Sequence, residues 1–296
     1  MMIKSGSLHV YVAMKNRLQA FEKYRRTPIN LNSFAAEFFD SFAVFLSYDI
    51  PHSRKKETVK GFKKNTVAMT LKRLKVFLRD MMRKKFIPYM DLSFYKTEEE
   101  EVDNIYLTEN EISKIYTLDL FQYPHLEKYR DLFVLGCLTG LRFSDYSKIT
   151  ADEIKDGMLY IYQTKTSSQV IIPLRKEVRE ILIEKYGLKI PKVSNQQFNC
   201  YIREIAKLAG IDEPVKICHR QGNRVIEEVK PKYACVASHT CRRSFCTNEF
   251  LAGTPTELIR AISGHKSESS FRKYIKADQF QKAQLIKNIW KERNYL

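Results

Sequence analysis

After Asn65-Thr66, the residues Val67, Leu71, Leu74, Leu78 and Met81 fall at alternating steps of four and three, which draws one apolar stripe down one helix. Such a stripe is stable in water only against other apolar surface, so this stretch predicts a helix packed into a helical layer. The layer is supplied upstream. Leu8 to Tyr24 carries apolar residues at helical spacing, and Ser33 to Tyr48 repeats the pattern with Phe34, Phe38, Phe42, Val44 and Phe45. Thr27-Pro28 and Asn30 to Ser33 separate these two with breakers and a cap for the second helix. The other faces of the third helix are basic, with Lys72, Arg73, Lys75, Arg79 and Arg83, and its approach adds Arg54, Lys55, Lys56, Lys60, Lys63 and Lys64. A charge run is most often a solvated face, yet between Arg54 and Lys85 only Glu57 and Asp80 are acidic. Salt-bridged solvation is poorly served by that ratio, and contact with phosphates explains it better. Lys63, Lys64, Lys72, Arg73, Lys75 and Arg79 are therefore the candidate DNA-binding residues.

With 296 residues, 44% of them hydrophobic, the chain is long enough for two domains. Phe86 to Asp91 ends the third helix with a proline, and Thr97 to Asp103 is a short acidic stretch, so the expected division is a helical domain over 1–93, a linker over 94–106 and a second domain over 107–296. Thr108-Glu109-Asn110-Glu111 has the capping-box pattern and starts a helix at Glu109. A mostly apolar helix from Tyr129 to Leu138 is stopped by Thr139-Gly140. Met158 to Gln163 and Gln169 to Pro173 alternate as strands around a turn at Thr164 to Ser168. Helices are predicted at Arg175 to Tyr186 and at Asn195 to Leu208, a strand pair around Val215 to Cys218 and Val225 to Val229, and helices at Thr240 to Ala252, Pro255 to Ser263 and Ser267 to Tyr274. The segment from Ala277 to Trp290, with Phe280, Ala283, Leu285, Ile286 and Ile289, reads as a last helix that either docks on a neighbouring molecule or packs on its own domain. The fold class is mainly α with a small antiparallel β-sheet.

The formal net charge of +17 calls for a polyanionic partner, nucleic acid ahead of a membrane surface. No apolar run reaches the length of a membrane span and Met1 to Ala20 has no secretory pattern, so no membrane role is expected and the cytoplasm is the expected location. The six cysteines are read as reduced thiols. Cys218, His219, Cys235, His239, Cys241 and Cys246 crowd one stretch but contain no Cys-x-x-Cys pair, so a metal is not expected. There is no glycine-rich phosphate loop, and no nucleotide cofactor is indicated.

Cleaving a phosphodiester without a metal requires an attacking group, cations for the phosphoryl oxygens and an acid for the leaving oxygen. Arg142, just after the helix-ending Thr139-Gly140-Leu141, would project from a turn with Asp145 three residues on to orient it. His239 and Arg242, three apart at the start of a helix, share a face near a terminus that favours anions. Ser263-Gly264-His265 precedes Phe271-Arg272-Lys273-Tyr274. Taken singly, each has an ordinary reading, as a surface Arg-Asp pair, a helix cap, or one of 17 tyrosines. Their order in the chain is what singles them out.

That ordered set closely resembles the tyrosine recombinases, the phage integrase family. The resemblance rests on Thr139-Gly140-Leu141-Arg142 with Asp145, Lys165 in the hairpin turn, His239-Thr240-Cys241-Arg242-Arg243-Ser244-Phe245, Gly264-His265 and Tyr274. More weakly it extends over nearly the whole chain, since Asn65 to Met81 is similar to the third helix of the family's core-binding domain and Asn195 to Gly210 to part of its catalytic domain. Arg242-Arg243-Ser244-Phe245 most resembles integrases of conjugative transposons and related mobile elements. Two features depart from the pattern: Arg243 stands where the common motif has a second histidine, and the chain starts at the core-binding helices, so the arm-binding domain of many such integrases is absent or removed.

The resemblance implies a SAM-like core-binding domain and a mixed α/β catalytic domain forming a C-shaped clamp on double-stranded DNA. It implies attack by Tyr274 to give a 3'-phosphotyrosine, Arg142 and Arg242 on the non-bridging oxygens, and Lys165 as general acid. His239 would assist proton transfer, His265 would donate to the phosphate, and Asp145 would support the arginines. Neither ATP nor a metal is needed. A homotetramer on DNA, with accessory DNA-bending or directionality factors, is implied as well. A type IB topoisomerase, a DNA-binding regulator with an unused site and a metal-dependent nuclease are the rival readings. The separate core-binding domain, the intact set of six residues and the lack of clustered carboxylates, respectively, argue against them.

Overall fold

The computed structural model describes residues 5–54, 57–101 and 104–293. The chain forms two compact units, one of Met1–Asp103 with Lys216–Glu228, the other of Asn104–Val215 with Val229–Leu296. The molecule is mostly helical with small sheets. Among the described residues no helix is long and apolar enough to cross a membrane.

In the first unit α1 (Ser5–Arg25), α2 (Ala36–Val44) and α3 (Lys64–Arg83) enclose an aromatic core of Phe21, Phe38, Phe42 and Phe45 with Leu46, Leu74 and Leu78. The stripe of α3 faces inward as its spacing predicts, with Val67, Leu71, Leu74 and Leu78 buried. The second helix is shorter than the Ser33 to Tyr48 expected. Asn30 and Ser33 cap each other across a separate turn at Leu31–Ser33, and beyond Val44 the helix widens into a π turn, Phe45–Asp49, that stops before Pro51. The sequence predicts a loop for the next stretch. It is a hairpin, β1 (Pro51–Arg54) with β2 (Glu57–Lys60), paired antiparallel from Pro51↔Lys60 to Arg54↔Glu57. Lys55 and Lys56 lie outside the described residues.

The second unit is built around α5 (Glu127–Thr139), whose Tyr129, Leu132, Phe133, Val134, Leu135 and Cys137 are all buried. It is flanked by α4 (Glu109–Tyr116), which starts at the reciprocal cap of Thr108 and Glu111. A short α6 (Phe143–Tyr146) follows Arg142. The sheet has three strands, β3 (Ile154–Lys155), β4 (Met158–Tyr162) and β5 (Gln169–Pro173), antiparallel, with Leu159↔Ile172 and Ile161↔Val170 on the buried face. Then come α7 (Lys176–Arg179), continuing into a π turn at Glu180–Lys185, and α8 (Asn195–Leu208), which runs over the residues predicted.

Strands β6 (Pro214–Gln221) and β7 (Arg224–Pro231) are longer than expected, and their far part, Lys216–Glu228, packs within the first unit. There the Asn223 N–H donates to the Tyr48 hydroxyl at 2.9 Å, and the Gln221 amide donates to the Lys60 carbonyl at 2.6 Å. The chain ends in α9 (Ser238–Leu251), α10 (Thr256–Ser263), α11 (Glu268–Arg272) and α12 (Gln279–Glu292). Helix α11 stops at Arg272, so Tyr274 sits in the turn beyond it rather than on the helix as the spacing suggested. Helix α12 is amphipathic but buries no residue. Its Gln281 amide donates to the Tyr106 hydroxyl at 2.6 Å, and Phe280 and Trp290 face solvent.

Gly136 brings α5 against α9. A Cβ there would lie 2.7 Å from the Tyr146 ring and 3.0 Å from Cys241 Cβ, so only glycine permits the approach that sets the two arginine-bearing elements side by side.

Candidate active site

Helix α5 ends at Gly140, which takes the left-handed conformation (φ 66°) and turns the chain so that buried Leu141 anchors the loop and Arg142 caps α6. A side chain at Gly140 would also strike the Phe245 ring at 2.3 Å. Arg242 comes from the first turns of α9, His265 from the loop after α10, and Tyr274 from the turn after α11.

Arg242 is 1% exposed, and most of its donors are already committed. Its Nη1 donates to the Gly140 carbonyl at 2.9 Å and to the Ser263 carbonyl, and its Nε donates to His265 Nε2 at 3.3 Å. Nη2 is buried and has no partner among the described residues. A buried, unpaired guanidinium N–H costs free energy unless an anion meets it, which makes it a preorganised place for a phosphoryl oxygen. Burial, then the nearby Arg142, pull the Arg242 pKa down to about 10, which leaves the side chain cationic at neutral pH.

Arg142 Nη1 donates to Gln163 Oε1 at 2.9 Å, a partner that sequence reading did not single out. Tyr274 lies beside Arg242 and His265. The Arg242 Cζ is 5.4 Å from its ring centroid, and the rings of His265 and Tyr274 are 4.6 Å apart. Its backbone is pinned, because the Thr247 hydroxyl donates to the Tyr274 carbonyl at 3.0 Å and the Tyr274 N–H to the Phe271 carbonyl at 2.8 Å. His239 opens to solvent at the start of α9. Partial desolvation, followed by the field of Arg243, Lys165, Arg242 and Arg142, lowers its pKa below the ordinary 6.5. The same interactions place Lys165 and Arg243 within electrostatic range of the cluster. Arg142, Lys165, His239, Arg242, His265 and Tyr274 thus converge on one surface of the second unit.

Two expected roles read differently in atomic detail. Asp145 does not grip a guanidinium. Its Oδ1 accepts from the Thr164 N–H at 3.1 Å and the Ser144 hydroxyl at 3.2 Å, so it anchors the turn that carries Lys165 and acts on Arg242 through charge alone. His265 has both ring nitrogens engaged. Because Nε2 accepts from Arg242, Nδ1 carries the hydrogen and donates to the Ser263 hydroxyl at 2.8 Å, which donates in turn to the Ile259 carbonyl at 2.6 Å. In this arrangement the ring orients Arg242 and has no donor left for a phosphate.

Burial, then Arg242, Arg142 and Arg260, push the His265 pKa down to about 3. The unfolded chain takes up a proton on this ring as the pH falls below about 6.5, whereas the folded chain resists until about 3. The contribution of neutral His265 to stability is therefore complete above about 6.5 and is lost on acidification through that window, by up to roughly 4 kcal/mol. Thermal melts from neutral pH down to about pH 4 are expected to fall more steeply for the wild type than for His265→Gln. Parallel slopes would refute this account of the ring.

In the first unit the basic face of α3 is partly answered by the acidic stretch that follows it. Lys64 pairs with Glu98 at 3.1 Å, Lys72 with Glu99 at 3.3 Å, and Lys75 donates to the Tyr95 carbonyl at 3.0 Å. Intramolecular pairing is thus better served than the composition of the run alone suggested. Arg79 is exposed, Arg73 is half-buried, and Lys63 opens the helix as its N-cap. Among the described residues no cluster of three or more His, Cys, Asp or Glu side chains is placed to hold a metal. Cys137, Cys241 and Cys246 are buried free thiols.

The phage integrase family model matches residues 105–280, and the phage integrase SAM-like domain matches residues 2–97. The chain belongs to the phage integrase family. Its members are tyrosine recombinases, and this chain is accordingly an enzyme that cuts and rejoins DNA strands through a covalent intermediate, with DNA as its partner. One relative is the tyrosine recombinase XerC of Thermodesulfovibrio yellowstonii, 22% identical over 93% of this chain and 88% of that protein. Among solved structures, XerH recombinase in a post-cleavage complex with a palindromic substrate covers 96% of this chain and 80% of its own, at 15% identity and TM-score 0.66. The Tn1549 transposon integrase with a circular intermediate DNA covers 97% and 94%, at 16% identity and TM-score 0.65. A lambda integrase dimer on a core site covers 92% and 89%, at 16% identity and TM-score 0.64. At these identities the structures speak for the fold.

Proposed function

We propose that Tyr274 is the nucleophile of this recombinase and that the phosphate it attacks is held between Arg142 and Arg242. The observation that carries this reading is the Tyr274 ring beside a buried guanidinium whose Nη2 has no partner among the described residues. The phenol oxygen forms a bond to phosphorus, and the bond from phosphorus to the 5'-oxygen breaks. Lys165 gives its proton to the leaving 5'-oxygen, and His239, its pKa lowered by partial burial and then by its cationic neighbours, takes the phenol proton. The phosphodiester free energy is kept in the 3'-phosphotyrosine, and rejoining is the reverse attack by a 5'-hydroxyl. Asp145 holds the Lys165 turn, and His265 holds Arg242.

Lys63, Lys64, Lys72, Arg73, Lys75 and Arg79 contact the DNA backbone, and Lys64 and Lys72 exchange their glutamate partners for phosphates on binding. The working assembly is a homotetramer on two duplexes, assisted by accessory DNA-bending or directionality factors, in the cytoplasm at the nucleoid. The element it moves is a mobile one. The run Arg242-Arg243-Ser244-Phe245 and the shared fold of the Tn1549 integrase support that choice.

The test starts with duplexes enriched by binding from a randomised pool, then nicked at successive positions so that the cleaved end diffuses away and the adduct is trapped. The wild-type protein is expected to form a covalent adduct, insensitive to chelator, on a sequence that also flanks the DNA segment carrying its gene. Absence of any adduct overturns the chemistry. A captured sequence remote from the gene overturns the mobile-element assignment.

A further inference from the structure

Gln163 directly follows β4, two residues before Lys165, is 0% exposed, and sits between the two arginines. Its Oε1 accepts from Arg142 Nη1 at 2.9 Å and from the Thr166 hydroxyl at 2.8 Å, while its Nε2 donates to the Ser263 carbonyl at 3.0 Å. That same carbonyl accepts from Arg242 Nη1. The socket is built to fit: a Cβ on Gly264, which adopts φ 69°, would lie 2.4 Å from Gln163 Oε1 and 2.5 Å from Nε2. Main-chain bonds fix the residue as well, since its N–H donates to the Ser168 carbonyl at 3.0 Å and its carbonyl accepts from the Ser167 N–H at 2.9 Å.

An amide is the group this position calls for. Arg142 and Arg242 are like charges, Arg142 adding to the effect of burial in lowering the Arg242 pKa, and the side chain between them must accept on one side and donate on the other. A carboxylate would pair with Arg142 and compete with a phosphate for its charge, and its second oxygen would face the Ser263 carbonyl, acceptor against acceptor. An apolar side chain would leave a buried guanidinium hydrogen and a buried carbonyl less well paired. The neutral amide satisfies both neighbours and leaves the full positive charge of the pair for an incoming anion.

Resting on the active-site reading above, we infer that Gln163 is a positioning residue that locks Arg142 to the Arg242 shelf through Ser263, so that the two guanidinium groups meet one phosphate as a single rigid cradle. Gln163 itself does not touch the reacting atoms.

The test is single-turnover cleavage of the nicked duplex recovered with the wild type, for Gln163→Glu and Gln163→Met, reading rate constant and amplitude separately and measuring duplex affinity alongside. A misfolded fraction lowers the amplitude, whereas a mis-set arginine lowers the rate constant at full amplitude. Both variants are expected to keep full amplitude and duplex affinity and to lose roughly 10- to 100-fold in rate, as when a group orienting a site ligand is removed. The isosteric Glu variant is expected to be at least as slow as Met.

A second substrate carries sulfur in place of the bridging 5'-oxygen, a leaving group that needs no acid. It is expected to rescue Lys165→Ala and not the Gln163 variants, which separates a role through Arg142 from one through the Lys165 turn. Rate constants within about twofold of wild type, a loss confined to amplitude, or rescue by sulfur equal to that of Lys165→Ala each overturn the inference. A wild-type protein that makes no adduct sinks the underlying reading, and this inference with it. A reactive wild type with indifferent Gln163 variants sinks the inference alone.

Discussion

Tyr274→Phe is expected to bind duplex DNA as the wild type does and to form no covalent adduct, a fall of roughly 10⁴- to 10⁶-fold, the range met when an enzyme loses its attacking group. The structure makes this substitution unusually clean. The residue is held by its backbone and by ring contacts with His265, all of which phenylalanine keeps. Among the described residues the phenol oxygen has no recorded hydrogen bond, so its removal is expected to change stability by less than about 0.5 kcal/mol. Adduct yield on a nicked duplex, read on a denaturing gel beside a thermal melt and a binding isotherm, decides the matter. An adduct of undiminished yield would mean that another nucleophile does the cutting.

What the sequence made legible of the fold was whatever depends on neighbours in the chain. The Val67 to Leu78 stripe, the Thr108 and Glu111 cap and the Gly140 stop each satisfy their own backbone within a turn or two, and each stands where its spacing places it. The hairpin at Pro51–Arg54 and Glu57–Lys60 escaped because its strands have only four residues and little apolar alternation, so the two-residue period never shows. The widening of α2 at Phe45–Asp49 has a similar cause. It depends on how the following residues pack, with Phe45 and Leu46 both buried, and no local signal announces it.

For the site, order along the chain was informative and atomic roles were not. Six residues scattered over more than a hundred positions could be named because each carries side-chain chemistry suited to a phosphate. Gln163 and Ser263 were passed over because their value is entirely non-local. Gln163 lies 21 residues from Arg142 and 100 from Ser263, and only tertiary packing of the turn after β4 on the end of α10 brings the three together. The part of the signal that was visible was Gly264, a glycine beside a histidine, now explained by the amide it leaves room for. His265 shows the converse limit. Its identity is written in the motif, but that Arg242 and Ser263 occupy both its nitrogens is a fact of geometry.

Arg242→Lys is expected to lose cleavage rate or stability, according to where the ammonium goes. The guanidinium divides its donors, Nη1 bridging the carbonyls of Gly140 and Ser263, Nε on His265 and Nη2 left over for the phosphate. A lysine ammonium has three hydrogens on a single nitrogen and cannot span both the shelf and the substrate. If it stays with the carbonyls, the phosphate loses a preorganised donor and cleavage slows by about 10²- to 10³-fold. If it turns to the phosphate, the Gly140 carbonyl loses this donor and the Ser263 carbonyl keeps only Gln163, at a cost of about 1–3 kcal/mol for a buried carbonyl left unpaired. Arg142→Lys is the contrast, because among the described residues Arg142 is bonded only to Gln163. That variant is expected to lower the cleavage rate comparably while keeping stability within about 1 kcal/mol of wild type. Single-turnover rates set beside denaturant melts separate the two. A shelf role for Arg242 does not survive if Arg242→Lys keeps both the wild-type cleavage rate and the wild-type melt, for then one ammonium would serve the carbonyls and the phosphate together.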